Sequence, residues 1–225
     1  MDMNKYLQLF LNYTGQLRIY SFVDLLVFAT AFTRDLSVIS GIALLWISFL
    51  VYLENRHHDP LRLPIYRYAW LFPYIFSITL LPELTWLTFS LFSYLYTKKV
   101  EGGIWSISAP FWRGLQTGAL AFQFDVHLAV LAFVLIFIRN IIGDVRDAST
   151  DKQRGIITIP VVYGAHKNHP WAFYAHILFT ITTTIIWFQF SFLDHRLILP
   201  TAILQLVLYP LTPRVSNPKY LQIYI

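Results

Sequence analysis

The sequence predicts an all-α fold: a polytopic membrane helical bundle of about eight transmembrane helices. Composition and the placement of charge carry that prediction. Of 225 residues, 56% are hydrophobic and 18% aromatic, while only 13% are charged. Soluble domains carry about 25% charged residues, and the mean hydropathy here is +0.54. A water-soluble globule is not expected from this balance, and disorder, collagen-like repeats and coiled coil fall with it. The absence of cysteine removes disulfides, thiolate metal sites and a cysteine nucleophile. In so apolar a chain, a pI near 9.4 points to loops facing an anionic cytoplasmic leaflet rather than to nucleic acid.

A span needs roughly 20 apolar residues. Runs between charges and Pro/Gly breaks give eight candidates: 19–33, 37–53, 65–81, 84–97, 106–124, 126–142, 171–192 and 197–212. Only Pro82-Glu83 separates the third from the fourth, and only Asp125 the fifth from the sixth. Single long or re-entrant helices are the alternative for these pairs. Periodicity does not decide, because lipid-facing helices are apolar all round.

Charge does decide. With the N-terminus in the cytoplasm, one side collects Lys5, Arg18, Arg56, Arg62, Arg67, Lys98, Lys99 and Arg113. Arg139, Arg146, Lys152, Arg154, Lys167, Arg214 and Lys219 join them, leaving only Arg34 and Arg196 outside. Fifteen of 17 basic residues on one face follow the positive-inside rule. Merging either tight pair spoils that asymmetry. The expectation is eight spans in one domain, 1–225, an integral membrane protein with both termini and its Asp-rich loops cytoplasmic. No cleavable signal peptide is expected, since the first apolar run starts late and contains Asp24.

The most informative segment follows the sixth span. Asp144, Asp147 and Asp151 stand at i, i+3 and i+7, with Asn140 four residues earlier. On a continuous helix these side chains fall within about 60° of one another. Such a stripe repels itself unless a cation sits on it, and an all-oxygen set favours a hard cation such as Mg²⁺. A solvated acidic loop beside Arg146, Lys152 and Arg154 is the alternative. A second cluster closes the second span, where Asn55 and Asp59 share a helical face at i and i+4, next to Arg62. By the charge count the two clusters emerge on the same side of the membrane, with arginines at hand to hold phosphate.

The run D-x-x-D-x-x-x-D-K-x-x-G-x-x-T-x-P-V-x-x-G at 144–164 resembles the second aspartate-rich motif of the UbiA superfamily of intramembrane prenyltransferases. Arg139-Asn140-Ile141-Ile142 before it is similar to an Arg-Glu-Ile-Ile stretch of some branches. Asn55-x-x-x-Asp59 resembles the start of the family's first motif, Leu17-Arg18-Ile19-Tyr20 the arginine-led start of its first helix, and Tyr94 to Lys99 the end of its fourth. There are departures. Leu63 stands where the first motif's last aspartate should fall, Arg56 where an aspartate is frequent, and Ser149-Thr150 where a Glu-Gly pair is usual. The family typically has nine spans, and eight are read here.

The resemblance implies that Mg²⁺, held by Asn55, Asp59, Asp144, Asp147 and Asp151, binds a prenyl diphosphate. It assigns Asp59, Asp144 and Asp151 to catalysis. Arg18, Arg62, Lys98, Lys99 and Lys152 fall to the diphosphate. The implied reaction transfers an isoprenyl group to a lipophilic acceptor within the membrane. The alternative is a catalytically degenerate relative acting as a structural, lipid-, pigment- or quinone-binding subunit of a membrane complex. A CDP-alcohol phosphotransferase also spaces aspartates on a helix, but its D-G-x-x-A-R element is missing. Asp24, Glu83, Asp125 and His127 stand out because intramembrane charge is costly, with Glu83 and Asp125 expected in exposed outer turns. His57 and His58 are adjacent and so point to different helix faces, which argues against a shared metal.

Overall fold

In the computed structural model, residues 19–56 and 65–164 are described without a break, together with scattered positions in 6–17 and 174–203. Every regular element among the described residues is helical, with no strand. The chain divides into two compact units, residues 1–80 with 188–225, and residues 81–187. The seventh and eighth expected spans, 171–192 and 197–212, lie outside the described residues apart from isolated positions.

The first unit contains α1 (Ile19–Phe32), α2 (Leu36–Arg56) and α3 (Leu71–Ser77). Helix α2 starts at a local cap. Asp35 Oδ1 accepts from the Ser37 backbone N–H at 2.8 Å and from the Ser37 hydroxyl at 2.6 Å, satisfying a donor that the first turn leaves unpaired. Helix α2 buries Ile42, Leu45, Trp46, Phe49 and Leu53, one face at helical spacing. Its 21 residues have a mean hydropathy of 2.2 in the best window, and at 1.5 Å per residue they extend about 31 Å, enough to cross a hydrocarbon core.

Helix α3 departs from expectation. A span over 65–81 was expected, yet the α-helix covers only Leu71–Ser77. Proline explains the shortfall. Pro73 has no N–H to give the Ala69 carbonyl, and Pro82 stops the winding beyond Leu81. Between them the chain uses tighter turns, with Ala69 N bonded to Tyr66 O at 3.0 Å and Leu80 N to Ser77 O at 3.2 Å. Seven residues extend about 10 Å, well short of a bilayer core.

The second unit contains α4 (Glu83–Thr97), a 3₁₀ turn (Lys98–Glu101), α5 (Ile104–Phe122), α6 (Val126–Gln153) and the short α7 (Ile159–Val162). The tight pairs are therefore separate helices, broken at Pro82 and at Asp125. Asp125 is more than an exposed outer residue. Its carboxylate accepts from Leu128 N at 3.0 Å and caps α6. Gly102 and Gly103, at φ 80° and 56°, turn the chain from the 3₁₀ segment into α5 through backbone that other residues avoid.

Helix α5 packs against both α4 and α6, and its two sides differ. Toward α6 it presents Gly114 and Gly118. A Cβ at Gly114 would lie 2.8 Å from Phe133 Cδ2 and 2.9 Å from the Phe133 carbonyl, and one at Gly118 3.1 Å from the Ala129 carbonyl. This is a G-x-x-x-G contact, in which small residues let two backbones approach. Toward α4 it presents polar groups. The charge count assigned Arg113 to a cytoplasmic connection, but the structure corrects this: Arg113 stands mid-helix and is 5% exposed.

Two patterns run through the helices. Hydroxyls bond back into their own helix, as in Ser48 to Leu45 O, Ser93 to Phe89 O and Thr97 to Tyr94 O, at 2.6–2.7 Å. Such bonds satisfy a polar group where no water is at hand. Apolar side chains also face outward at helical spacing, namely Leu84, Leu87 and Leu91 on α4, and Val126, Val130, Val134 and Ile138 on α6. Among the described residues, two helices are long and apolar enough to cross a membrane by length and composition, Leu36–Arg56 and, within α6, Val126–Val145.

Candidate functional site

Helix α6 runs through the acidic segment without a break to Gln153, so Asp144, Asp147 and Asp151 do share a stripe. All three are buried, at 3%, 6% and 8% exposure. The solvated-loop alternative fails on this point, because a carboxylate is seldom buried unless something compensates it.

For two of the three, the compensating cation is Lys99. Its Nζ donates to Asp144 Oδ1 at 2.6 Å and lies 3.7 Å from Asp151 Oδ2. The 3₁₀ turn after α4 carries the ammonium into this position. Burial works against the Lys99 ammonium, but Asp144 and then Asp151 outweigh it and hold its pKa above the ordinary lysine value. Asp144 Oδ2 is buried and has no hydrogen-bond partner among the described residues, an arrangement that costs free energy unless another donor or a metal reaches it.

The oxygen donors of this face suit a hard cation such as Mg²⁺, and the orphaned Asp144 oxygen fits one. The face is not a finished cage. Among the described residues no three Asp, Glu or His side chains converge closely enough to hold a metal. A cation here would draw further ligands from a bound phosphate or from water, the usual habit of Mg²⁺.

The remainder of the signature run is helix punctuation. Gly155, at φ 71°, ends α6 with Gly155 N bonded to Lys152 O and Ile156 N to Asp151 O, a Schellman stop. Thr158 and Pro160 open α7, where proline suits a first turn, and Gly164 closes it at φ 79°. Ser106 at the start of α5 donates to Ile157 O at 2.7 Å, which pins this link beside the Lys99 turn. Thr158 Oγ1 is fully buried with no hydrogen-bond partner among the described residues.

The other expected residues are distributed as follows. Lys98 turns to Glu101 at 2.6 Å and to the Tyr94 ring at 5.3 Å, away from the acidic face, and Glu101 raises its pKa. Lys152 is exposed in the last turn of α6. Asn55 belongs to the first unit, where its amide nitrogen bonds Val51 O at 3.1 Å and Tyr66 O at 3.5 Å. Its side-chain oxygen is the atom left for ligation. Arg18, His57, His58, Asp59, Arg62 and Leu63 lie outside the described residues. Glu83 and His127 are exposed, and Asp24 falls within α1.

Sequence reasoning missed a second polar group. Arg113 Nη1 donates to Gln116 Oε1 at 2.6 Å, Gln116 Nε2 donates to Ser93 Oγ, and the guanidinium lies 5.4 Å from the Tyr96 ring centre. Tyr96 also interacts electrostatically with Lys99. A polar seam thus runs between α4 and α5 toward the acidic face. The available signal was an arginine and a glutamine three apart inside an apolar run, which marks an interior position. Compared with known proteins, the chain matches no family model, no curated sequence and no solved structure.

Proposed function

We propose that this chain is a UbiA-type intramembrane prenyltransferase, moving an isoprenyl group from a prenyl diphosphate to a lipophilic acceptor. The observation that carries the reading is the buried α6 carboxylate stripe with its orphaned Asp144 oxygen. Burying three carboxylates on one face is costly unless cations or a ligand compensate them, which suits a face built to bind a cation. Asp144, Asp147 and Asp151 would hold Mg²⁺. When bound, the metal would neutralise charge on the departing diphosphate. Lys99 and Lys152 stand on the elements that form this end of the second unit and would bind phosphate oxygens. The allylic C–O bond breaks with its electron pair going to the diphosphate. The acceptor then attacks the cation and gives up a proton, while the apolar surroundings exclude water.

The membrane setting is part of the proposal. Outward apolar stripes on α4 and α6 and hydroxyls bonded back into their helices support a membrane setting, and the distribution of basic residues in the sequence is the argument for cytoplasmic termini. Reporter fusions after Asp35 and His195 should read as outside, and cytoplasmic readings at both overturn the topology. The activity test uses purified protein in detergent with geranylgeranyl diphosphate and Mg²⁺, measuring diphosphate release with and without acceptors. Release should fall to background in Asp144→Ala/Asp151→Ala, and wild-type release no greater than that control refutes the enzyme.

One observation favours a second reading. Lys99 compensates Asp144, and Leu63 stands where the resembled motif has an aspartate, as suits a non-catalytic subunit that binds lipid, pigment or quinone in a membrane complex. Stable copurification with partner subunits and no diphosphate release would select it.

A further inference from the structure

We infer that the segment 66–78 is a lipid-facing anchor, entering the bilayer beside α2 with its outer aromatic row seated in phospholipid from headgroup to acyl chain. The inference needs α2 to cross a membrane and makes no use of the prenyltransferase reading. It starts from a pattern in the sequence: Tyr66, Tyr68, Trp70, Phe72, Tyr74 and Phe76 place an aromatic ring at every second position. Such alternation suits a strand, yet the chain winds helically here, with Leu71 N bonded to Tyr68 O at 3.0 Å and Tyr74 N to Trp70 O at 3.2 Å. Two positions along a helix are about 200° apart, so alternate rings go to two faces. The inner face packs on α2: Pro73 and Ser77 are buried, and Trp70 meets Tyr52 at 5.0 Å and Tyr74 at 5.5 Å. Tyr68, Phe72 and Phe76 turn outward at 50%, 69% and 51% exposure, with the two phenylalanine rings 4.7 Å apart.

Two features name lipid as what covers the outer row. The first is its position. Asn55 Nδ2, in the last turn of α2, bonds Tyr66 O at 3.5 Å, while Trp70 stands about one turn back, at Tyr52. The chain therefore returns alongside α2 from its Arg56 end, where the apolar helix stops. The second is the grading of the face in that direction. Arg67 comes first, its guanidinium 5.4 Å from the Tyr68 ring centre; the cation suits lipid phosphate and tyrosine the headgroup level. Phe72, Ile75, Phe76 and Ile78 follow, all exposed and wholly apolar. Hydroxyls in this stretch turn back to their own backbone, Ser77 to Tyr74 O at 2.6 Å and Thr79 to Phe76 O at 2.8 Å, as suits surroundings without water. A second protein chain gives no reason for the polar end of the row to coincide with the end of a span.

The chain has no cysteine, so a single introduced cysteine carries the only spin label. The full chain is labelled in turn at Arg67→Cys, Tyr68→Cys, Phe72→Cys and Phe76→Cys and reconstituted in phosphatidylcholine–phosphatidylglycerol vesicles. Electron paramagnetic resonance then reads access to oxygen, which concentrates among acyl chains, and to a water-soluble nickel chelate. Nickel should reach the labels at 67 and 68. The labels at 72 and 76 should lose nickel contact and gain oxygen contact, each deeper than the last by up to about 6 Å for four residues. Nickel access at 72 and 76 equal to that at 68 overturns the inference. So do labels shielded from both reagents, which would mark a protein partner or a second copy on the row. Where a phenylalanine variant does not fold, Ile75→Cys and Ile78→Cys read the same descent. Ile47→Cys, on the exposed side of α2, keeps two failures apart. Nickel reaching Ile47 overturns the membrane setting and the anchor with it, whereas oxygen there with nickel at 72 and 76 overturns the anchor alone.

Discussion

Replacing Gly114 by alanine tests the close approach of α5 to α6. The added Cβ would meet the Phe133 carbonyl at 2.9 Å and its ring at 2.8 and 3.0 Å, closer than carbon tolerates. The ring has little freedom to yield, because it stacks on Phe137 at 5.9 Å and meets Phe111 edge-on at 5.5 Å. The carbonyl belongs to helix α6 and moves only with it. Overpacking of this kind costs about 1–3 kcal/mol, while alanine regains up to about 1 kcal/mol of helix propensity over glycine. Set against the full propensity gain the loss is up to about 2 kcal/mol, and the backbone contact at 2.9 Å puts it toward the upper end. Two other glycines serve as internal standards. At Gly118 the nearest contact is 3.1 Å, so the loss should be smaller. At Gly143, with nothing within 4 Å, alanine should stabilise by about 0.5–1 kcal/mol. The assay is reversible unfolding in mixed micelles, followed by circular dichroism. The reasoning is refuted if Gly114→Ala is as stable as wild type, or if the order of the three variants differs.

Three further outcomes are expected. Asp125→Ala should lower stability by about 0.5–2 kcal/mol through the lost α6 cap, and Asp125→Ser should recover most of it in the same micelle assay. Gln116→Leu should cost about 1–3 kcal/mol, because Arg113 and Ser93 each lose a buried partner; no change would show that the seam does not bear on stability. The third concerns pH. Hydrogen bonds from the Ser37 hydroxyl and backbone hold Asp35 below its ordinary pKa of 3.8. A depressed acid stabilises the fold above its unfolded pKa, so this contribution should persist above pH 3.8 and be lost as pH falls below it. Asp35→Asn should remove that acid-side slope in melting experiments, and an unchanged slope would locate it elsewhere.

How much of the site was legible beforehand depends on the range of the interactions involved. The i, i+3, i+7 spacing of the three aspartates gave them one stripe if the helix continued, since helical geometry follows from neighbours along the chain, and the structure supplied the continuity. The spacing also posed the right physical question, namely which cation sits on such a stripe. The answer, Lys99, lies 45 positions from Asp144, and no local rule pairs them. Arg113 was misplaced for the opposite reason. Charge counting treats every arginine as a surface group, whereas a guanidinium can be buried when Gln116 and Tyr96 receive it. The span expected over 65–81 exceeded the seven-residue α3 because apolar composition was weighed above Pro73, whose missing donor decides where an α-helix can begin.

The sequence by itself determined the helical class and the breaks at Pro82 and Asp125, and it offered the acidic stripe as one helical face. All of these rest on backbone bonds and caps between residues a few positions apart. Only the tertiary structure decided that Lys99 closes the acidic face, that Gly114 meets Phe133, and that Arg113 is interior. Each of those depends on which helices pack together, and that is set by the fit of whole faces. An apolar helix does not announce its partner, because in a sequence this rich in apolar residues nearly every face is fit to be buried.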